Sequence, residues 1–447
     1  MITLETGCGL IQGLQKENCN AFLGIRYAEA KRFEYAKPVT HWEGTYDATH
    51  FADACIQKRT WYQHLEIPER RFYYNEFRKG IDFSYSEDCL NLNIYTPLKE
   101  GKYPVLVFIH GGGFDSGANS ENPFDGESLA QKGIVTVFIN YRVGIFGYIC
   151  HRSIQEKYGR DGNFGLDDQK TAISWIKKNI ASFYGARDNI TLMGQSAGAI
   201  SIQYLCLNQD NRGLFNRAIM MSGGGKFPDF ACPRPSSSNR EYWESFIREG
   251  GFASFEELKE CEPKRIFDAL EGFKKTRKDN TYCTMPCIDG YHIKDKIKKL
   301  INKPLAVDYI LGYTNNDMYA PILTSMAHSF VIKNNRNKNC YLYFFDQDAK
   351  GDGNKAFHSS DLNFMFSGLD KSWRPYDKED EKLSELMQDY VADFVRRGNP
   401  NAKDKSRPLW KSSGTKALRF TGSKKIRMVR PPYLRLLKNM IKCGEPK

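Results

Sequence analysis

The stretch Asn189-Ile-Thr-Leu-Met-Gly194-Gln195-Ser196-Ala197-Gly198 constrains this chain more than any other, because it reads as a buried strand entering a sharp turn that opens a helix. Ile190, Leu192 and Gly194 alternate with Thr191 and Met193, and residues 197 to 207 continue as a mostly apolar helical run. Ser196 then stands at the tip of the turn. Glycine at both flanks has a steric cause: a strained strand-to-helix turn draws neighbouring segments so close that a Cβ there would clash. A five-residue pattern with three fixed positions also arises by chance in long chains, so its weight rests on the strand before it and the helix after it.

The surrounding sequence supplies that context. Leu90 to Tyr95 alternates like a strand, while Pro104 to Ile109 is an unbroken apolar run and Ile134 to Ile139 is interrupted only by Thr136, as expected of strands buried on both faces. Between Gly165 and Tyr184, the residues Leu166, Ala172, Ile173, Trp175, Ile176 and Ile180 fall on one helical stripe directly before the strand that carries Ser196. Asn216 to Ser222, Ala306 to Leu311 and Cys340 to Phe345 return to strand character, and Lys382 to Arg397 is an amphipathic helix ending at Gly398 and Pro400. Alternating strands and helices predict an α/β class with a doubly wound, mostly parallel sheet covered on both faces. Residues 1 to 35 predict an N-terminal antiparallel hairpin. Residues 50 to 88, dense in Tyr, Phe, Arg and Glu without periodicity, predict a long surface loop or cover. Residues of about 230 to 300 predict a helical insertion, with Ser254 and Glu257 at capping-box spacing. With no repeats or linkers, residues 1 to 447 are expected to form one domain.

Composition excludes several classes of function. No run approaches the ~18 apolar residues of a membrane helix, so no membrane partner is expected. Met1 leads directly into strand-like sequence without a basic and apolar leader, which predicts a cytoplasmic location. The 65 Lys+Arg against 53 Asp+Glu give a formal charge of +12, but the excess is spread over Lys274 to Lys278, Lys294 to Lys303 and Arg430 to Lys447. Without base-stacking aromatics on a recognisable module, these are solvated faces and no nucleic-acid partner is expected. Tyr73, Tyr74 and Phe77 beside Arg70, Arg71 and Arg78 come nearest to such a module and are taken as loop. The 12 cysteines are scattered; Cys283 and Cys287 lack the second pair or spaced histidines of a zinc site.

A serine hydroxyl near neutral pH needs a histidine base, a carboxylate to orient it, and donors for the oxyanion. After the buried strand 104 to 109 comes His110-Gly111-Gly112-Gly113-Phe114, whose side-chain-free residues can turn backbone N–H groups toward a ligand. Together with the N–H of Ala197 they would form an oxyanion hole. These elements, with Phe22-Leu-Gly-Ile-Arg-Tyr-Ala28, Ser86-Glu-Asp-Cys-Leu-Asn-Leu-Asn93, Asn140-Tyr-Arg-Val-Gly144, Gly162-Asn-Phe-Gly-Leu-Asp-Asp-Gln169 and Gly213-Leu-Phe-Asn-Arg-Ala-Ile219, appear in order along the chain. The chain thereby resembles the carboxylesterase/cholinesterase family (type B carboxylesterases, here of bacterial type) of the α/β-hydrolase fold, over nearly its full length. The resemblance implies oxyanion donors at Gly112, Gly113 and Ala197.

In this fold the order is Ser, then Asp or Glu, then His. Strand 306 to 311 leads into Gly312-Tyr-Thr-Asn-Asn-Asp317-Met318, where the family usually has Glu followed by Gly; Asp317 is the expected acid, its shorter side chain requiring a closer backbone. Asp308, inside its strand, is the weaker candidate. Of His292, His328 and His358, the last lies in Ala356-Phe-His-Ser-Ser-Asp361, resembling the family's histidine loop, and is the expected base. Ser222 matches a serine that hydrogen-bonds beside the triad in such enzymes, although a strand-end serine without that role fits the same sequence. The resemblance also implies an Arg32–Glu87 ion pair and a Cys55–Cys89 pairing, which a cytoplasmic location would keep reduced.

Departures bear on substrate. Cholinesterases have Glu before the nucleophile and a Trp about ten residues before the matching Cys; Gln195 and Lys79 stand in those regions here. Without a carboxylate or aromatic face, a quaternary ammonium site is unsupported. The interval from Asp317 to His358 is short, predicting an open pocket partly covered by residues 56 to 88. The expected function is hydrolysis of uncharged small-molecule carboxyl esters, with no cofactor and no metal. The alternative the family offers, an adhesion module without a working triad, is disfavoured because nucleophile, base and oxyanion loop are all present.

Overall fold

A computed structural model describes residues 1–226, 232–276, 284–335, 339–403, 405–422 and 425–431. Its centre is a 13-stranded sheet whose strands are β1 (Ile2–Thr6), β2 (Gly9–Gln15), β3 (Asn20–Arg26), β4 (Asn91–Thr96), β5 (Tyr103–Ile109), β6 (Val135–Ile139), β7 (Gly185–Gln195), β8 (Arg217–Met221), β9 (Asp308–Thr314), β10 (Cys340–Phe345), β11 (Ala417–Phe420) and β12 (Arg427–Val429), with Thr45–Asp47 beside β2. The spatial order is β1-β2-β3-β4-β6-β5-β7-β8-β9-β10-β11-β12. From β6 to β11 all neighbours are parallel; both ends are antiparallel. The expected N-terminal hairpin is β1–β2, paired from Ile2 with Gly13 to Thr6 with Gly9.

The apolar runs have a simple cause in this arrangement. Val105, Val107 and Ile109 of β5 enter one core, whereas Leu106 and Phe108 enter the core on the opposite face. Successive side chains point to opposite faces, so a strand covered on both is apolar at nearly every position, with Thr136 and Thr191 the buried exceptions in β6 and β7. Helices α2 (Phe164–Asn179) and α3 (Ala197–Leu207) cover the first face through Leu166, Ile173, Trp175, Ile176 and Ile202. On the other face, the helix at Lys378–Arg397 supplies Leu383, Met387, Tyr390, Val391 and Phe394. Each such side chain, fully buried, contributes about 1.5–3 kcal/mol.

The insertion is helical, at Ser236–Glu249, Phe255–Glu260, Pro263–Thr276 and Ile297–Leu300. It has its own core around Trp243, Phe246, Ile266 and Phe273, packed on Ile145, Phe146 and Ile149. Ser254 caps its helix by accepting from the Glu257 N–H (3.1 Å), but Glu257 reaches back to the N–H of Ala253 rather than Ser254, so the expected reciprocal box is only half formed. Cys283, Lys278 and most of the basic stretch from Arg430 to Lys447 lie outside the described residues. Among those described, no group of three or more His, Cys, Asp or Glu could hold a metal ion, and no helix is long and apolar enough to cross a membrane.

Two expectations are corrected. Residues 50 to 88 are not all loop: α1 (Pro68–Phe77) is a helix with Pro at its first position, and it carries Tyr73, Tyr74 and Phe77. Cys55 and Cys89 form a disulfide, with Cα atoms 4.9 Å apart, closing this cover segment at its base. The short strands Ala54–Cys55 and Tyr85–Ser86 pair beside it, which is why the two cysteines meet.

Candidate active site

The carboxyl ends of the central parallel strands converge on one edge, the place where α/β sheets present ligands to reactive groups. At the end of β7, Ser196 adopts φ 54° and ψ −121°, a strained conformation for a residue with a side chain. Crowding explains both flanking glycines: a Cβ at Gly198 would lie 2.0 Å from the carbonyl oxygen of Ile109, and one at Gly194 would lie 2.7 Å from the carbonyl carbon of Gly198. The Ser196 N–H donates to the Met221 carbonyl (2.8 Å), tying the turn to β8. Ser196 itself is half-buried.

The glycine loop after β5 wraps this turn. A Cβ at Gly111 would meet Gln195 Oε1 at 2.7 Å and Ser196 Cβ at 3.1 Å, so the backbone lies directly against the serine. Gly112 (φ +106°) and Gly113 (φ +66°) follow in left-handed conformations and are exposed. Ala197, first residue of α3, has an N–H at the helix terminus, free of an intrahelical partner by position. His110 is no base candidate: burial pushes its pKa down to about 4, and its ring stacks on Tyr141 with centroids 4.4 Å apart.

The expected acid and base come together. Asp317 Oδ1 lies 2.5 Å from His358 Nδ1, and its Oδ2 accepts from the Ser222 hydroxyl (2.5 Å) and the Thr314 N–H (3.0 Å). The side chain of Asp317 is wholly enclosed. The loops meet because the Asn316 N–H donates to the Ala356 carbonyl (2.8 Å), which brings the shorter aspartate within reach. With Nδ1–H donated to a carboxylate, the Nε2 of a neutral ring carries the lone pair that a general base requires. That Nε2 faces the Nε2 of Gln195 at 3.1 Å, and among the described residues no hydrogen bond joins it to Ser196.

The other candidates are accounted for elsewhere. His328 bridges the Tyr313 hydroxyl (2.8 Å) and the Gly414 carbonyl (2.7 Å), and His292 pairs with Asp167 (3.0 Å). Asp308 opens β9 at the far end of the strand, near Arg217. Arg32 holds Glu87 through two hydrogen bonds, one of 2.9 Å from Nε to Oε2, as the resemblance implied.

Sequence reasoning missed two features. Asp361 is fully buried and accepts from the Tyr343 hydroxyl (2.6 Å); burial raises its pKa to about 6. Helix α1 reaches the histidine loop: Phe72 meets Phe357 edge-on at 4.9 Å, and Glu76 binds Arg374 through Nε (3.0 Å) and Nη2 (2.8 Å). The only signal for Asp361 was its place three residues after His358; for Glu76 there was none.

A profile of the carboxylesterase family matches residues 1–333 and 321–428. The chain belongs to the carboxylesterase family. It is a carboxylic ester hydrolase. This carboxylesterase is 28% identical over 472 residues to the para-nitrobenzyl esterase of Bacillus subtilis (strain 168), covering 91% of its own chain and 92% of that protein. It is 28% identical over 490 residues to the medium-chain fatty acyl-CoA hydrolase precursor of Anas platyrhynchos, covering 89% and 85% of the two. A solved PNB esterase superposes with a TM-score of 0.83 at 24% identity, over 100% of this chain and 99% of that one. The fold is accordingly that of the α/β-hydrolases, as expected from the sequence.

Proposed function

We propose that this carboxylesterase acylates Ser196, with His358 as general base, Asp317 as the orienting carboxylate, and the N–H groups of Gly112, Gly113 and Ala197 as oxyanion donors. The observation that carries it is the 2.5 Å contact between Asp317 Oδ1 and His358 Nδ1 at the edge of the strained Ser196 turn. The serine oxygen attacks the ester carbonyl while His358 Nε2 takes its proton, and the enclosed Asp317 stabilises the resulting imidazolium. The three amides stabilise the oxyanion; each such donor is worth roughly 3–4 kcal/mol in the transition state. Collapse expels the alcohol, which receives the proton from His358, and water repeats the sequence to release the acid. Ser222 fixes the second oxygen of Asp317.

Neutral Gln195 before the nucleophile supports uncharged esters over cationic ones, and exposure of Gly112, Gly113, Met318 and Tyr319 supports an open pocket. Residues 1 to 447 act as one domain, with the helical insertion packed on it. The likeness to an acyl-CoA hydrolase favours a second substrate class, thioesters, cleaved by the same site.

Ser196→Ala should lose ester hydrolysis by several orders of magnitude while keeping its far-UV circular dichroism, and an organophosphonate should modify Ser196 in the parent protein. Hydrolysis retained by the variant, or modification elsewhere, overturns the assignment. A panel of neutral aryl and alkyl esters should be turned over in preference to choline esters.

A further inference from the structure

We propose that Gln195 is a positioning residue for the base: in the resting enzyme its amide holds His358 by Nε2, and the ring must exchange that amide for the Ser196 hydroxyl before acylation. The inference rests on the triad assigned above and concerns what that triad does between turnovers.

The hydrogen bonds leave little freedom in how the ring is held. Asp317 Oδ1 takes the Nδ1–H, so Nε2 offers a lone pair and needs a donor. Gln195 Nε2 supplies one at 3.1 Å, from a residue that is itself 3% exposed. Its Oε1 lies on the other side, against the Gly111 backbone. Ser196 is the next residue along the chain, yet its hydroxyl makes no hydrogen bond to the ring among the described residues. Two adjacent side chains therefore compete for one lone pair, and in the resting state the amide occupies it.

The identity of residue 195 decides what this contact does. An amide nitrogen donates, so it favours the neutral ring, the form that can remove a proton. A carboxylate cannot donate; it would draw out an Nε2–H and favour the imidazolium, which cannot act as base until it deprotonates. The ionisable groups around the ring are otherwise fixed: Asp317 from the β9 loop, Asp361 with Tyr343 on the following helix and β10, and, beyond Phe357, Arg374 with Glu76 and Asp352. Exchange at residue 195 changes only the group that faces Nε2.

The test measures the second-order rate of Ser196 phosphonylation by an aryl organophosphonate across the acid limb of the pH profile, for the parent, Gln195→Ala, Gln195→Met and Gln195→Glu. Met keeps the volume of Gln without its donor, so it separates the hydrogen bond from packing. Loss of one hydrogen bond should speed phosphonylation about fivefold in the Ala and Met variants. In Gln195→Glu the acid limb should move up by about one pH unit or more. In NMR spectra of the parent and Gln195→Glu, the low-field His358 Nδ1–H resonance should keep its imidazolium position to higher pH in the Glu variant. Equal or slower phosphonylation in both the Ala and Met variants, or an unmoved acid limb in Gln195→Glu, overturns the proposal while leaving the triad standing. If the parent is not phosphonylated at Ser196, or Ser196→Ala is still modified at the same rate, the triad itself falls and this proposal with it.

Discussion

Asp361 lies fully buried three positions after His358, and only one of its oxygens has a hydrogen-bond partner. Burial raises its pKa to about 6 from an ordinary carboxyl value of 3.8. The folded protein therefore holds a proton that the unfolded chain has already lost between these values, so stability falls as pH rises through the window and the full cost is present above it. That difference corresponds to at most about 3 kcal/mol. Asp361→Asn should be more stable than the parent at pH 8 by up to that amount, with the gain vanishing at pH 3, as measured by urea unfolding at both. No widening of the gap with pH would show that the charge is not the cause. The roles around it were legible to different degrees. Ser196, His110 to Gly113 and His358 stand in motifs whose backbone geometry demands those residues, so sequence located them. The hydrogen bond of Ser222 to Asp317, across 95 positions, was signalled only by the family resemblance, and that of Tyr343 to Asp361, across 18, by no local pattern.

The same contrast holds for whole elements. Strands β5 and β6 could be read because double burial keeps nearly every position apolar, β7 because Ile190 to Met193 lead straight into the Gly-x-Ser-x-Gly turn, and α2 because one face shows a helical stripe. Helix α1 was invisible: only Glu76 and Phe77 are buried in it, and the aromatic side it packs on the core, Phe72, Tyr73 and Phe77, is interspersed with Glu69, Arg70, Arg71 and Glu76. What holds it is tertiary. Glu76 binds Arg374 twice and accepts from Trp373 Nε1 (2.8 Å), while Arg374 also binds Asp352 at 2.8 Å. Both the Arg374 and Glu76 side chains are fully enclosed. Glu76→Ala would leave the buried guanidinium with three of its five hydrogen bonds, to Asp352 and the Lys350 carbonyl, and breaking a buried pair this way costs at most about 3–5 kcal/mol. The variant should unfold at correspondingly lower urea, and kcat should fall because Phe72 no longer supports Phe357 beside His358. Glu76→Gln, which keeps one acceptor, should lose less. Equal stability of Glu76→Ala and the parent would mean that the ion pair is replaced by solvent and that α1 is held by other contacts.

Across the molecule, one short segment belongs to several cores at once. Val143 packs in the main sheet core, Ile145, Phe146 and Ile149 in the core of the helical insertion, and Tyr148 with Phe114 and Ala197 at the active site. The Gly144 N–H donates to the Phe114 carbonyl (2.6 Å), fastening the segment to the glycine loop that follows β5. Protein interiors are close-packed, so a cavity opened in one core transmits displacement to side chains shared with the next. Trp243 is the largest side chain of the insertion core and is fully buried against Phe246 and Tyr242. Trp243→Ala should cost about 3–5 kcal/mol. If the segment 143 to 149 couples the cores, the variant should also lose kcat toward a neutral aryl ester, with little change in the organophosphonate's site of attachment at Ser196. Thermal unfolding followed by circular dichroism and residual esterase activity should then show both transitions lowered together. A lowered melting transition with kcat unchanged at temperatures where the variant is folded would mean that the insertion stabilises the fold without positioning the oxyanion loop, because a coupled loop cannot keep its donors in place while the segment that holds Phe114 relaxes.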